Sequence, residues 1–207
     1  MSTDIHGGIE FRHPGVDAGY YDGEPWVMAM DLWPLYDQSD YAAFGYLFGV
    51  RNYAGFRPLA ADRGLPPDLS DGLRAELELM VEAGELHGAT WVSWAELSRL
   101  DLTSAPAGYA GRLTWSRESL PSLLHQRLVP AQWPREVLEA VGPPPLGLDR
   151  SAHLTEWVTG DLRCRYEPLT AGFLLGSTTQ WPHVFAVMKA LAGRFGEEEI
   201  RLVVAFD

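Results

Sequence analysis

Asp4 and His6 form a D-x-H pair near the start of the chain, and on a strand that spacing sends both side chains to one face. A carboxylate beside an imidazole can orient it as a general base, and the two together can ligate a divalent metal ion. The competing structural reading is a strand-end cap with an exposed histidine. His87, in a short polar stretch, can approach the same sheet end and is the second candidate for acid–base or metal-ligand work. Arg51, Arg57 and Arg63 put three guanidinium groups within thirteen residues of an acidic chain. They can clamp a phosphate or carboxylate bidentately, or pair internally with Asp62, Asp68 and Asp71.

Glu96, beside Trp91 and Trp94, looks like an acid in an aromatic setting, but Ser93 three residues before it completes an S-x-x-E capping box that already explains it. The stretch GFLLGSTT at 172–179 has the glycines of a phosphate loop without its lysine, so it reads as a turn into the following helix, with Ser177 or Thr179 as the cap. Zinc-protease, nucleophile-elbow, calcium-loop and paired C-x-x-C motifs are all missing.

Positioning these residues requires a sheet. The pattern predicts a strand over 5–12, a turn-rich connection and a second strand over 26–33, hence an N-terminal hairpin. Ser39 can cap a helix through DYAAFGYLFGV, where Tyr41, Phe44, Leu47 and Phe48 share a face. Residues 51–70 read as a long loop ending in Ser70, which caps a helix over 71–83 with Leu73, Leu77, Met80 and Val81 on its buried side. A short extended piece from His87 enters the helix capped by Ser93. Two more helices are expected between Ser116 and Val141, and the Pro-rich GPPPLGLDR at 142–150 reads as a loop. The clearest element is a helix over 180–195, followed by IRLVVAF at 200–206, whose unbroken apolar run predicts a central strand covered on both faces. The expected fold is α+β (mixed α/β), a single domain over 1–207, with one sheet holding the N-terminal hairpin and the C-terminal strand against several helices.

Sixteen Lys and Arg against 28 Asp and Glu give a net charge of −12, which disfavours non-specific nucleic-acid binding. One cysteine, Cys164, excludes an intramolecular disulfide and a multi-cysteine zinc site, and no apolar run reaches membrane-span length. A cytoplasmic protein is expected.

Taken together, Asp-Ile-His at 4–6, YAAFGYLFGVRN at 41–52, RGLPPDLS at 63–70, the set His87, Trp91, Glu96 and Leu97, and the closing IRLVVAFD carry a resemblance. The chain resembles a widespread set of functionally uncharacterised phage and bacterial proteins that open with Gly-Cys-Asp-Ile-His. Ser2 and Thr3 stand here in place of Gly-Cys, so no role of that cysteine transfers. The likeness spans residues 3–102 and 197–207, and 103–180 resembles nothing known. It implies that Asp4, His6, Arg51, Arg63, Asp68, Ser70, His87 and Asp207 gather around one cleft.

Two functions fit. One is a small hydrolase or transferase acting on an anionic, nucleotide-like small molecule, with Asp4, His6 and His87 catalytic, a divalent metal at Asp4 and His6, and Arg51, Arg63, Asp68, Ser70 and Asp207 binding. The other is a non-catalytic acidic binding protein, an immunity or anti-defence factor or inhibitor, docking a basic protein partner. A structural component of a larger assembly is a third.

Overall fold

A computed structural model describes residues 3–107, 111–129, 133–142, 155–167 and 169–207. In chain order the first half forms β1 (Ile5–Arg12), β2 (Trp26–Asp31), α1 (Tyr41–Phe48), α2 (Asp71–Glu82), β3 (His87–Ser93) and α3 (Trp94–Ser98). The second half adds β4 (Gly111–Arg117), β5 (Leu120–Val129), α4 (Arg135–Val141), β6 (Thr155–Thr159), β7 (Leu162–Glu167), α5 (Ala171–Leu175), α6 (Trp181–Phe195) and β8 (Ile200–Phe206).

The apolar run at 200–206 becomes β8, an interior strand of an antiparallel sheet ordered β2-β1-β8-β3, with all seven residues buried. Its alternate side chains enter two cores. Leu202, Val204 and Phe206 pack with Ile9 and Val92 against α1, α5 and α6, whereas Val203 and Ala205 meet Leu73 and Leu77 of α2. Each leucine so buried contributes about 1.5–3 kcal/mol. The N-terminal hairpin and the C-terminal strand share this sheet as expected, and the α+β class is what the chain adopts.

Glycine is required where β1 meets β8. Gly7 has φ +134°, and a Cβ there would lie 2.0 Å from the Val203 carbonyl oxygen. Ser70 caps α2 and Ser93 with Glu96 forms the full capping box, as their spacing predicts. Helix α1 departs from expectation at its start. Asp40, not Ser39, accepts the first backbone N–H groups, and Ser39 Oγ instead donates to Asp4 Oδ1 at 2.6 Å.

The second half corrects the expectation of two helices between Ser116 and Val141 and of a single sheet. β4 and β5 form a hairpin, and with β6 and β7 they make a second antiparallel sheet ordered β5-β4-β7-β6. Only α4 survives of the expected helical pair. Leu113, Trp115, Cys164 and Tyr166 alternate toward one face, where Trp133 and Val137 close a separate core. The loop expected at 142–150 lies, past Gly142, outside the described residues. Among the described residues no helix is long and apolar enough to cross a membrane.

Candidate functional site

Antiparallel pairing brings three strand ends together: β1 begins, β8 ends and β3 begins at the same edge, with Ile5 and His87 both opposite Phe206. Residues directly opposite share a face, so parity decides what can meet. His6 pairs with Ala205 and lies on the α2 face. His87 pairs with Phe206 and lies on the other, its ring 6.4 Å from the Phe206 ring. The two histidines expected to act together are therefore on opposite sides of the sheet.

Asp4 and His6 do share a site. Together with Asp31, Trp33, Tyr36 and Glu76 they line a cleft of about 390 Å³ beneath the N-terminal half of β1. Asp207 braces it from behind. Its Oδ1 accepts the Asp4 backbone N–H at 2.7 Å, while Oδ2 stands 3.5 Å from His6 Nε2, close enough for charge pairing but without the alignment of a hydrogen bond. The Asp4 N–H holds the Asp207 carboxyl below the usual carboxylate range; partial burial opposes this and His6 reinforces it. Glu76, reaching in from α2, moves the other way. Burial and then the charge of Asp31 raise its carboxyl, with His6 pulling against them. Tyr36 is buried under the cleft, and that burial raises its phenol. No arginine or lysine lines the cleft among the described residues.

The loop arginines do not converge on it. Arg63 forks onto Glu96 with contacts of 2.6 and 2.9 Å and covers the Trp91 ring. That fork, followed by the capping-box hydrogen bonds, drives the Glu96 carboxyl down to about 2. Arg51 sits at φ +51° with Nε on Thr3 Oγ1 at 2.8 Å and Nη1 toward the Tyr53 hydroxyl, at the same sheet edge as His87. Arg57 is exposed, its backbone N–H donating to Ala107. Internal pairing thus holds for Arg63, although the partner is Glu96 and not one of the loop aspartates.

Asp68 and Ser70 belong to a different place, the middle of the α2 face. There Arg201 donates to Glu10 at 2.6 Å and to Asp68 at 2.8 Å, and lies 3.8 Å over the Trp26 ring. Trp26 Nε1 donates to the other Asp68 oxygen, and Glu10 accepts the Ser70 N–H at 2.8 Å. Glu10 is fully buried and Arg201 nearly so. Burial raises the Asp68 carboxyl, but the Arg201 hydrogen bond and charge outweigh it and leave the group below its ordinary value. This network fastens α2 to the sheet and commits the Asp68 carboxylate to Arg201 and Trp26. Sequence reasoning missed Glu10, Arg201 and Trp26. The available signal was Arg201, the one charged residue in an otherwise apolar strand, which needs a carboxylate partner if buried.

For the metal expected at Asp4 and His6, no group of three or more His, Cys, Asp or Glu is arranged to hold an ion among the described residues. No protein-family model, curated protein or solved structure matches the chain.

Proposed function

We propose that the cleft at the sheet end is the acid–base site of a small cytoplasmic enzyme of hydrolase or transferase type. One observation carries the reading: His6 and Glu76 line the same cleft with Asp207 3.5 Å from the imidazole, and their surroundings lower the Asp207 carboxyl while raising that of Glu76. Environments that push neighbouring carboxyls apart assign them different roles. His6 takes the proton of a water or hydroxyl nucleophile, the ionised Asp207 stabilises the resulting imidazolium, and Glu76 returns a proton to the leaving group. The carboxylates of Asp4 and Asp31 favour a neutral or cationic group at the reacting centre over the anion anticipated from the loop arginines. Kinship with the phage and bacterial set is part of this proposal, supported by Asp4, His6, Arg51, His87 and Asp207 lying at one sheet edge.

The test is a panel of chromogenic phosphoesters, carboxylic esters and amides, assayed with the protein and with its His6→Asn and Glu76→Gln variants. Turnover lost in both variants, with a bell-shaped pH profile flattened on one limb in Glu76→Gln, supports the site. Turnover that survives both, or none on any substrate, refutes it.

A second reading, an acidic protein that docks a basic partner, is favoured by Trp33, 74% exposed at the rim of this carboxylate-lined cleft. A ring flanked by carboxylates suits a lysine or arginine side chain. Under that reading partner binding is steeply salt-dependent and indifferent to His6→Asn.

A further inference from the structure

The second sheet buries one face and leaves the other open. On the open face β7 presents Arg163 and Arg165, two residues apart, and β4 presents Arg112, Thr114 and Ser116. The register sets Ser116 opposite Arg163 and Thr114 opposite Arg165. Each rung therefore joins a guanidinium to a hydroxyl, and the two rungs are about 7 Å apart along the strands. With Glu156 these side chains line a hollow of about 430 Å³.

The arginines are held loosely. Arg163 and Arg165 are both more than half exposed, with carboxylates of Glu118 and Glu156 at 3.7 and 4.0 Å, and Glu167 at 3.3 Å from Arg165. Exposed pairs of this length are weak and easily exchanged for a better acceptor. Arg112 is anchored by Glu167 and by the Phe173 ring, 4.6 Å away, yet its Nε is covered and donates to nothing. Charge points the same way. Residues 111–167 hold seven arginines against seven carboxylates, leaving nine cations against twenty-one carboxylates in the rest of the chain. That segment is neutral overall, whereas the rest of the chain carries the whole −12.

The geometry points to a site for a small phosphate-bearing molecule on this face, with Arg163 and Arg165 gripping a chain of two phosphates and Arg112 closing one end. Guanidinium forks match phosphate oxygens in pairs, and the Ser116 hydroxyl adds a donor, while Thr114 Oγ1 donates to the Arg165 carbonyl at 3.3 Å and holds that rung together. A compact ligand fits better than a nucleic-acid strand. The described residues of these strands offer no exposed aromatic ring for base stacking, and the −12 charge repels a long polyanion. The site is separate from the sheet-end cleft and stands without it.

Calorimetric titration of the full chain with inorganic pyrophosphate, inorganic phosphate and a deoxythymidine decamer tests this. Pyrophosphate binds saturably and more tightly than phosphate. Arg163→Ser/Arg165→Ser weakens it at least about tenfold. Arg163→Lys/Arg165→Lys, which keeps charge but loses the forks, also weakens it, and Glu156→Gln, which removes a competing acceptor, tightens it. No saturable binding, affinity unchanged in both double variants, or a decamer that outbinds pyrophosphate overturns the proposal.

Discussion

Removing one member of the Glu10–Arg201 pair should cost far more than removing both. Glu10 is fully buried, Arg201 is 4% exposed, and they meet at 2.6 Å. Breaking a buried pair by deleting one partner costs about 3–5 kcal/mol, because the survivor is left as an uncompensated charge. Glu10→Leu strands Arg201 with only Asp68, whose side chain is 46% exposed, and Arg201→Met strands Glu10 with only the Ser70 N–H. In the double variant neither charge remains, Asp68 can turn to solvent, and the thioether introduced by Arg201→Met can still pack on Trp26. What persists is the Ser70 N–H without its acceptor, a cost of about 1–3 kcal/mol. The two single losses therefore sum to about 6–10 kcal/mol, while the double variant loses only about 1–3 kcal/mol. Urea unfolding followed by tryptophan fluorescence measures all four corners of the cycle. Each single variant should also melt about 6–20 °C lower, at about 2–4 °C per kcal/mol for a chain of this size. A double loss within about 0.5 kcal/mol of the sum would show the two charges to be independent, and the account of how α2 is fastened would fail.

Glu96, held down to about 2 by Arg63, contributes stability that is complete above the ordinary glutamate value and is lost as pH falls from about 4.5 toward 2. Melting temperature should drop through that window, and Glu96→Gln should flatten the drop there while lowering stability at pH 7. Glu76 has the opposite sign: its carboxyl is raised, so ionising it destabilises the fold as pH rises. Glu76→Gln should melt above the parent at pH 7 and closer to it at pH 4, and a variant less stable at pH 7 would contradict the burial argument. Gly7→Ala should cost at least about 1 kcal/mol in urea unfolding, since it strains a positive φ and drives a Cβ into the Val203 carbonyl. An unchanged midpoint would mean that β1 can retreat from β8.

Elements whose signal is local were legible. The Ser93–Glu96 box, the Ser70 cap, the apolar stripe of α6 and the run at 200–206 all act within a few residues, and each appears where its pattern places it. The second sheet was missed although its signal is also local. Leu113 and Trp115 alternate with Thr114 and Ser116, and Leu162, Cys164 and Tyr166 alternate with Arg163 and Arg165. The Leu-rich stretch 120–129 has the composition of a helix, and composition outweighed period two. What no local pattern could supply was partnership across the chain. Arg201 and Glu10 are 191 positions apart and Arg201 and Asp68 133 apart, so the buried pair becomes visible only when β1 and β8 are side by side.

The same pairing explains why one half of the expected cleft formed and the other did not. β8 is apolar on both faces beyond Arg201 at its start, so the residues at its end cannot say which side of the sheet a neighbour serves. β1 can: Ile5, Gly7, Ile9 and Phe11 alternate with His6, Gly8, Glu10 and Arg12, one row apolar and one polar. The polar row lies on the α2 face, where Glu10 is consumed in the middle by Arg201 and the α2 cap, and Arg12 reaches Asp17 and Glu199 at one rim. His6 is at the other end, where cover from α2 thins to the side chain of Glu76 and a cleft opens. Parity thereby gives His6 a carboxylate on either side and denies it His87. A single polar row thus holds the helix at its centre and leaves a titratable pair exposed at its end.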